Sequence, residues 1–154
     1  MFLFEVVRCL DKAKVKYAIV GGYALALHGI VRATIDVDLV IQISKSQLNF
    51  LEKALNSINL TSRIPVGANE IFEFREEYIK TRNLIAWSFV DYKDPSRVVD
   101  VLLTENLKAL KVQKITVSGQ KITVASLKDL LRMKELAHRP KDLLDIESIK
   151  AKLK

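Results

Sequence analysis

The chain has 154 residues and a formal net charge of +7, from 25 Lys and Arg against 18 Asp and Glu. Apolar side chains make up 49% of it and charged ones 28%, with five glycines and three prolines, which excludes collagen-like, low-complexity and wholly disordered chains. This length predicts a single domain, 1–154, able to bury a core without disulfides or a metal staple, and argues against a two-domain enzyme.

In chain order, Phe2, Val6, Cys9, Leu10 and Ala13 form the apolar stripe of a first helix running to Lys14. Glu5 and Arg8 interrupt what would be the core of a signal peptide. Cys9, the sole cysteine, cannot close an internal disulfide and reads as a small buried hydrophobe. The longest uncharged stretch, Tyr17 to Val31, is too short to span a bilayer, so the expectation is a soluble, cytoplasmic protein with no membrane partner. Tyr17 to Val20 predicts a short buried strand, Gly21-Gly22 a turn, and Tyr23 to His28 a short helix closed by Gly29. Thr34 to Ile43 alternates like a strand, with Ile35, Val37, Leu39 and Ile41 on one side and Thr34, Asp36, Asp38 and Val40 on the other. Ser44 and Gln47 have the spacing of a capping box opening a helix to about Ile58. Further strands are predicted at Ile71 to Arg75, Leu84 to Asp91 and Arg97 to Leu103, the last two separated by a turn over Lys93 to Ser96. Trp87, Tyr92, Phe72 and Phe74 are expected in the core, with base stacking a remote second role. Val112 to Val124 reads as a hairpin around Ser118-Gly119-Gln120. Ser126 and Asp129 cap a helix through Ala137, and Pro140 opens a last one to about Leu153. Neither a repeat nor a linker interrupts this series. The fold class that follows is α/β: a small mixed, mostly antiparallel sheet packed by helices, with basic helices at the C-terminus.

Charge is uneven: residues 104–154 hold twelve basic and six acidic residues, against thirteen and twelve in 1–103. Clustered lysines attract phosphate-bearing partners, although lysines that merely solvate helix and hairpin faces give the same count.

Asp36 and Asp38 leave one side of an apolar strand, roughly 6 to 7 Å apart along the chain. Carboxylates so placed repel each other unless both are hydrated or a divalent cation with oxygen ligands lies between them. Upstream, Gly21-Gly22 removes side chains where strand turns to helix, which suits either an anion such as a triphosphate or a tight turn without ligand. Neither a dinucleotide-binding nor a Walker pattern is present. Asp100 lies inside an apolar strand, where an unpaired carboxylate is costly, and so needs a cation or donors more than Asp91 or Asp94, which sit at a strand end and a turn. His28 and His138 do not have metal-pair spacing and read as packed or rim histidines.

The run from Gly21-Gly22 through Gly29, Arg32 and Thr34 to Asp36-Val-Asp38 resembles the signature of the DNA polymerase β-like nucleotidyltransferase superfamily. Its form is similar to that of the minimal nucleotidyltransferase toxins of abortive-infection systems, the AbiEii-like group. Val98-Val-Asp100-Val-Leu-Leu103 resembles the strand carrying that superfamily's third acid. The segment from Lys134 through Arg139, Lys141 and Asp142 to Asp145 is similar to the toxin group's C-terminal motif. The resemblance implies Asp36, Asp38 and Asp100 as catalytic and metal ligands for two Mg2+ ions, and Gly21 and Gly22 as the seat of the NTP phosphates. Arg32, Thr34, Lys134, Arg139 and Lys141 are the other implied substrate-binding residues, with Arg32 steadying phosphates and Thr34 supporting the acid pair. Asp142 either belongs to this segment or only complements a helix dipole. The implied reaction moves an NMP from an NTP to a hydroxyl on tRNA, another RNA or a protein, with an antitoxin protein as a possible partner. The alternatives are a nucleotide- or protein-binding module of the same fold that transfers nothing, and a basic nucleic-acid-binding protein without chemistry.

Overall fold

The computed structural model describes all residues 1–154. The elements are α1 (Phe2–Lys12), β1 (Tyr17–Val20), α2 (Gly21–Leu27), β2 (Val37–Ile41), α3 (Lys45–Ser57), β3 (Thr61–Ser62), α4 (Ala68–Arg82), β4 (Ala86–Asp91), β5 (Asp94–Leu102), β6 (Val112–Val117), β7 (Gln120–Ala125), α5 (Leu127–Ala137) and α6 (Leu143–Leu153). All seven strands join one mixed sheet in the order β3-β4-β5-β2-β1-β7-β6. β1 pairs antiparallel with β2 and parallel with β7, β2 is parallel to β5, and the remaining pairs are antiparallel. Helix α3 packs on α1 and α4, and α5 packs on α6. No helix is long and apolar enough to cross a membrane.

The central strands explain why an acid there must be functional or compensated. All four residues of β1 are buried, and in β2 Asp38 is the one residue not fully so, among Val37, Leu39, Val40 and Ile41. Such runs belong to strands covered on both faces. The core joins these to Val6, Val7 and Leu10 of α1, Leu48, Leu51 and Leu55 of α3, and Trp87 and Phe89 of β4. Local signals act as their chemistry dictates. Ser44 accepts from the Gln47 backbone N–H at 3.1 Å, but the Gln47 side chain turns away to accept from the Lys16 N–H at 2.7 Å, so only half of the capping box forms. Ser126 accepts from the Asp129 N–H at 3.2 Å. Cys9 is half-buried, and burial, then Glu5 and Asp11, push its thiol up to about 11, as befits an inert side chain.

Four expectations need correction. Ile71 to Arg75 is not a strand: it lies within α4, where Ala68 and Ile71 are buried, Tyr78 and Ile79 half-buried, and the Arg75 Nε donates to the Leu103 carbonyl at 2.7 Å. The period-2 alternation of Phe72 and Phe74 concealed this helical stripe. Phe72, Phe74 and Tyr92 are exposed, at 42%, 39% and 69%, and only Trp87 of the four aromatics is core. The strand expected from Thr34 begins at Val37, and Ile35 projects outward, 66% exposed. The turn expected over Lys93 to Ser96 is tighter, with β5 already starting at Asp94 after a register irregularity at Val90 and Asp91.

Candidate active site

Two adjacent parallel strands bring the acids together. Asp38 of β2 is the direct cross-strand partner of Asp100 of β5, and on its other side Asp38 faces Val20, the last residue of β1. Side chains in register on neighbouring strands leave by the same face of the sheet, so the two carboxyls are neighbours by construction. Ser88, across from Asp100 on β4, donates its hydroxyl to Asp100 Oδ1. Asp36 precedes β2 and is exposed at the rim. None of the chain's ion pairs involves Asp36, Asp38 or Asp100. The consequence is a site short of positive charge: burial, then the charges of Asp100 and Asp36, lift Asp38 from 3.8 to about 7, with Lys134 pulling weakly the other way. Burial and Asp100 also raise Asp36, opposed by Arg63.

The rival acids are otherwise engaged. Asp91 accepts from Arg97 at 2.6 Å and from the Lys93 N–H at 2.9 Å, which hold it below the usual carboxylate range, and Asp94 accepts from Ser96.

The glycines permit close approach. Gly21 has φ +69, and a Cβ there would lie 2.1 Å from Asp38 Oδ2. A Cβ on Gly22 would lie 2.6 Å from the Thr34 hydroxyl. The turn therefore lets the acid strand and the 28–36 loop lie directly against the start of α2. Thr34 donates to the backbone carbonyl of Asp36 at 3.5 Å, not to a carboxylate.

Two cavities meet at the acid pair. One, of about 520 Å³, is lined by Gly22, Arg32, Thr34, Asp36, Asp38, Asp100, Lys134, Arg139, Lys141 and Asp142, among others. The other, of about 670 Å³, shares Asp38, Asp100, Lys134 and Arg139 but is walled largely by apolar side chains, including Ile85, Leu102, Leu130, Met133 and Leu136, with Gly21 at its edge. Every residue that the resemblance implies as catalytic or substrate-binding thus lines one cavity or both. Four residues that sequence reasoning missed or left without a role also belong here. Ser88 orients Asp100, Arg63 acts on Asp36, and the buried Asp142 and Asp145 neutralise the cationic wall. Asp142 accepts from Arg139 Nε at 2.8 Å and Lys134 Nζ at 3.2 Å, and these two partners hold it at about 2 despite burial. Lys134 also reaches Asp145 Oδ2 at 3.1 Å, and the same oxygen takes Arg32.

No three carboxylate, imidazole or thiol groups are close enough to form a ready metal cage. The donor chemistry nevertheless suits a hard divalent cation: oxygen ligands only, like charges crowded together, and no resident cation partner for them. Asp38 and Asp100 are the preformed part, and Asp36 is the exposed carboxylate able to complete the set.

Solved structures of nucleotidyltransferases share this mixed-sheet fold. The antibiotic-resistance factor ANT(2'')-Ia matches with a TM-score of 0.62 at 12% identity, over 97% of this chain and 79% of that one. An antigenic nucleotidyltransferase-like protein from Paracoccidioides brasiliensis gives 0.59 at 21% identity, over 96% and 73%. The lincosamide antibiotic adenylyltransferase LnuA, bound to lincomycin, gives 0.60 at 16% identity, over 97% and 94%. The chain itself belongs to the family described as nucleotidyl transferase AbiEii toxin, type IV toxin–antitoxin system, which matches residues 3–151. No curated protein matches the sequence.

Proposed function

We propose that residues 1–154 act as one catalytic unit that transfers a nucleoside monophosphate from an NTP to a hydroxyl of an RNA acceptor, tRNA in particular, in a magnesium-dependent reaction. The observation that carries this reading is the pair Asp38 and Asp100, in register on adjacent strands, without cationic partners, opening onto a cavity whose other wall is basic. Asp36, Asp38 and Asp100 would hold the two ions, which when bound would lower the acceptor's pKa and offset the charge of the departing pyrophosphate.

The chain's own groups do the rest. Gly21 and Gly22 leave room for the triphosphate beside the acids. Arg32, Lys134, Arg139 and Lys141 supply N–H donors to its oxygens, and Thr34 fixes the backbone that carries Asp36. Asp100, oriented by Ser88, takes the acceptor hydroxyl proton on its carboxylate. The acceptor oxygen then bonds the α-phosphorus as the bond from that phosphorus to the bridging oxygen breaks, and pyrophosphate leaves. The excess of lysine in 104–154 supports RNA as the acceptor, and family membership supports a toxin role with an antitoxin protein as partner.

The test is incubation of purified protein with each α-labelled NTP, magnesium and either total RNA or lysate. Label should enter RNA with wild type and fall at least about 100-fold with Asp38→Asn or Asp100→Asn. Label in a protein band would reassign the acceptor. Label that stays free with wild type and both variants alike would remove the enzyme reading in favour of a binding module.

A further inference from the structure

The cationic wall of the smaller cavity is built as an alternating chain of charge. Arg139 pairs with Asp142, Asp142 with Lys134, Lys134 with Asp145 and Asp145 with Arg32. The two carboxylates of this chain are held very differently. Asp142 is 1% exposed and gathers four donors: the Arg139 backbone N–H, Arg139 Nε and Nη2, and Lys134 Nζ. It is fixed within the turn between α5 and α6. Asp145, also buried, works through the single oxygen Oδ2, which receives both Lys134 from α5 and Arg32 from the 28–36 loop.

That loop needs a tether. Between Ile30 and β2 its backbone N–H groups make no backbone hydrogen bonds to the rest of the fold, and Val31 and Ile35 point to solvent. Yet it carries Arg32, Thr34 and Asp36 to the cavity mouth. The Arg32 side chain is 31% exposed and is anchored by charge only through Asp145.

We infer that Asp145 is a positioning residue for the triphosphate seat, setting Lys134 and Arg32 as a fixed pair of donors and thereby holding the loop that presents Asp36. The inference rests on the proposed NTP-dependent function, and it assigns to a carboxylate outside the acid trio a role in substrate affinity. Because Asp145 acts through cations that touch phosphate and not through the reacting atoms, its removal should weaken NTP binding more than turnover. Asp145→Asn keeps size and an acceptor oxygen while removing the charge.

The experiment measures KM and kcat for the preferred NTP, and the Kd of its non-hydrolysable α,β-methylene analogue, in wild type, Asp145→Asn, Arg32→Gln and the double variant. Asp145→Asn should raise KM and the analogue Kd about tenfold while lowering kcat by less than about threefold, the scale of a lost charged hydrogen bond. Arg32→Gln should do the same, and the double variant should fall short of the sum of the two single effects, since part of what Asp145 does passes through Arg32. Trypsin cleavage after Arg32, read by mass as fragment 1–32 and compared with cleavage at the other basic sites, should quicken selectively in Asp145→Asn and report the loosened loop independently of chemistry. Wild-type affinity in Asp145→Asn, or effects of the two single variants that add, would overturn the inference and leave the proposed reaction standing. A wild-type protein that binds no analogue would instead defeat the functional reading, and this inference with it. Should Asp145→Asn fold poorly, Asp145→Glu, which keeps the charge, must restore the wild-type Kd if the inference holds.

Discussion

Asp38 is the residue on which the chemistry and the physics of this protein meet. Its carboxyl is raised from 3.8 to about 7 first by burial and then by Asp100 and Asp36, so the folded chain holds a proton there that the unfolded chain releases. A raised folded-state value means the contribution to stability is complete below pH 3.8, declines as the pH climbs and is gone above about 7. Asp142 has the opposite sign, but its window lies between about 2 and 3.8 and does not overlap. Without divalent cations, urea unfolding should therefore show wild type less stable at pH 8 than at pH 5, by on the order of 1–2 kcal/mol after solvent screening. Asp38→Asn should lose most of that difference, and magnesium at pH 8 should stabilise wild type but not the variant. The choice of Asp100 over Asp91 and Asp94 was legible in the sequence because an acid flanked by Val98, Val99 and Val101 has few ways to be satisfied. Ser88, Arg63 and Asp145 were not, since each owes its part to a neighbour far away in the chain.

At the scale of elements, the glycine turn and the acid strand form one device. Gly21 takes φ +69, and its missing Cβ leaves the space that Asp38 Oδ2 fills. An alanine there meets two costs, about 1–2 kcal/mol for the left-handed backbone and the displacement of Asp38. Gly119, φ +79 in the hairpin turn, has nothing within 4 Å of its Cβ position and isolates the first cost. Gly119→Ala should thus lower Tm by about 2–8 °C and leave nucleotidyl transfer intact, while Gly21→Ala lowers Tm further and reduces transfer by at least about tenfold. Elements announced by turn chemistry were legible: the β6–β7 hairpin at Ser118-Gly119, and α3 and α5 behind Ser44 and Ser126. Helix α4 was not, because Phe72 and Phe74 imitate a strand while the buried stripe is carried mainly by Ala68 and Ile71 and kinks at Phe74. The parallel pairing of β7 with β1, through Ile19 and Val124, joins segments about a hundred residues apart, and no local pattern reports it.

Across the whole molecule, charge separates by role. Of the twelve basic residues in 104–154, Arg132, Lys134, Arg139 and Lys150 are held in ion pairs, three of them with carboxylates that are themselves largely buried, whereas the other eight, Lys108, Lys111, Lys114, Lys121, Lys128, Lys141, Lys152 and Lys154, are in none. The paired set shapes the site, and the unpaired set is left to act on distant anions. Lys141 belongs to both regions, exposed and at the cavity mouth. An RNA acceptor gains affinity from such lysines by releasing counterions, a gain that salt erodes linearly on a double-logarithmic plot, by about 0.7 in slope for each phosphate neutralised on a single strand. Binding of total tRNA, followed by filter retention from 50 to 300 mM salt, should show this dependence. Lys141→Gln should reduce the slope by about 0.7 and weaken RNA binding at low salt without altering the Kd of the NTP analogue as strongly as Asp145→Asn does. A protein acceptor would leave tRNA binding weak and the slope of labelling close to zero, because no polyphosphate backbone would then be shedding ions on contact.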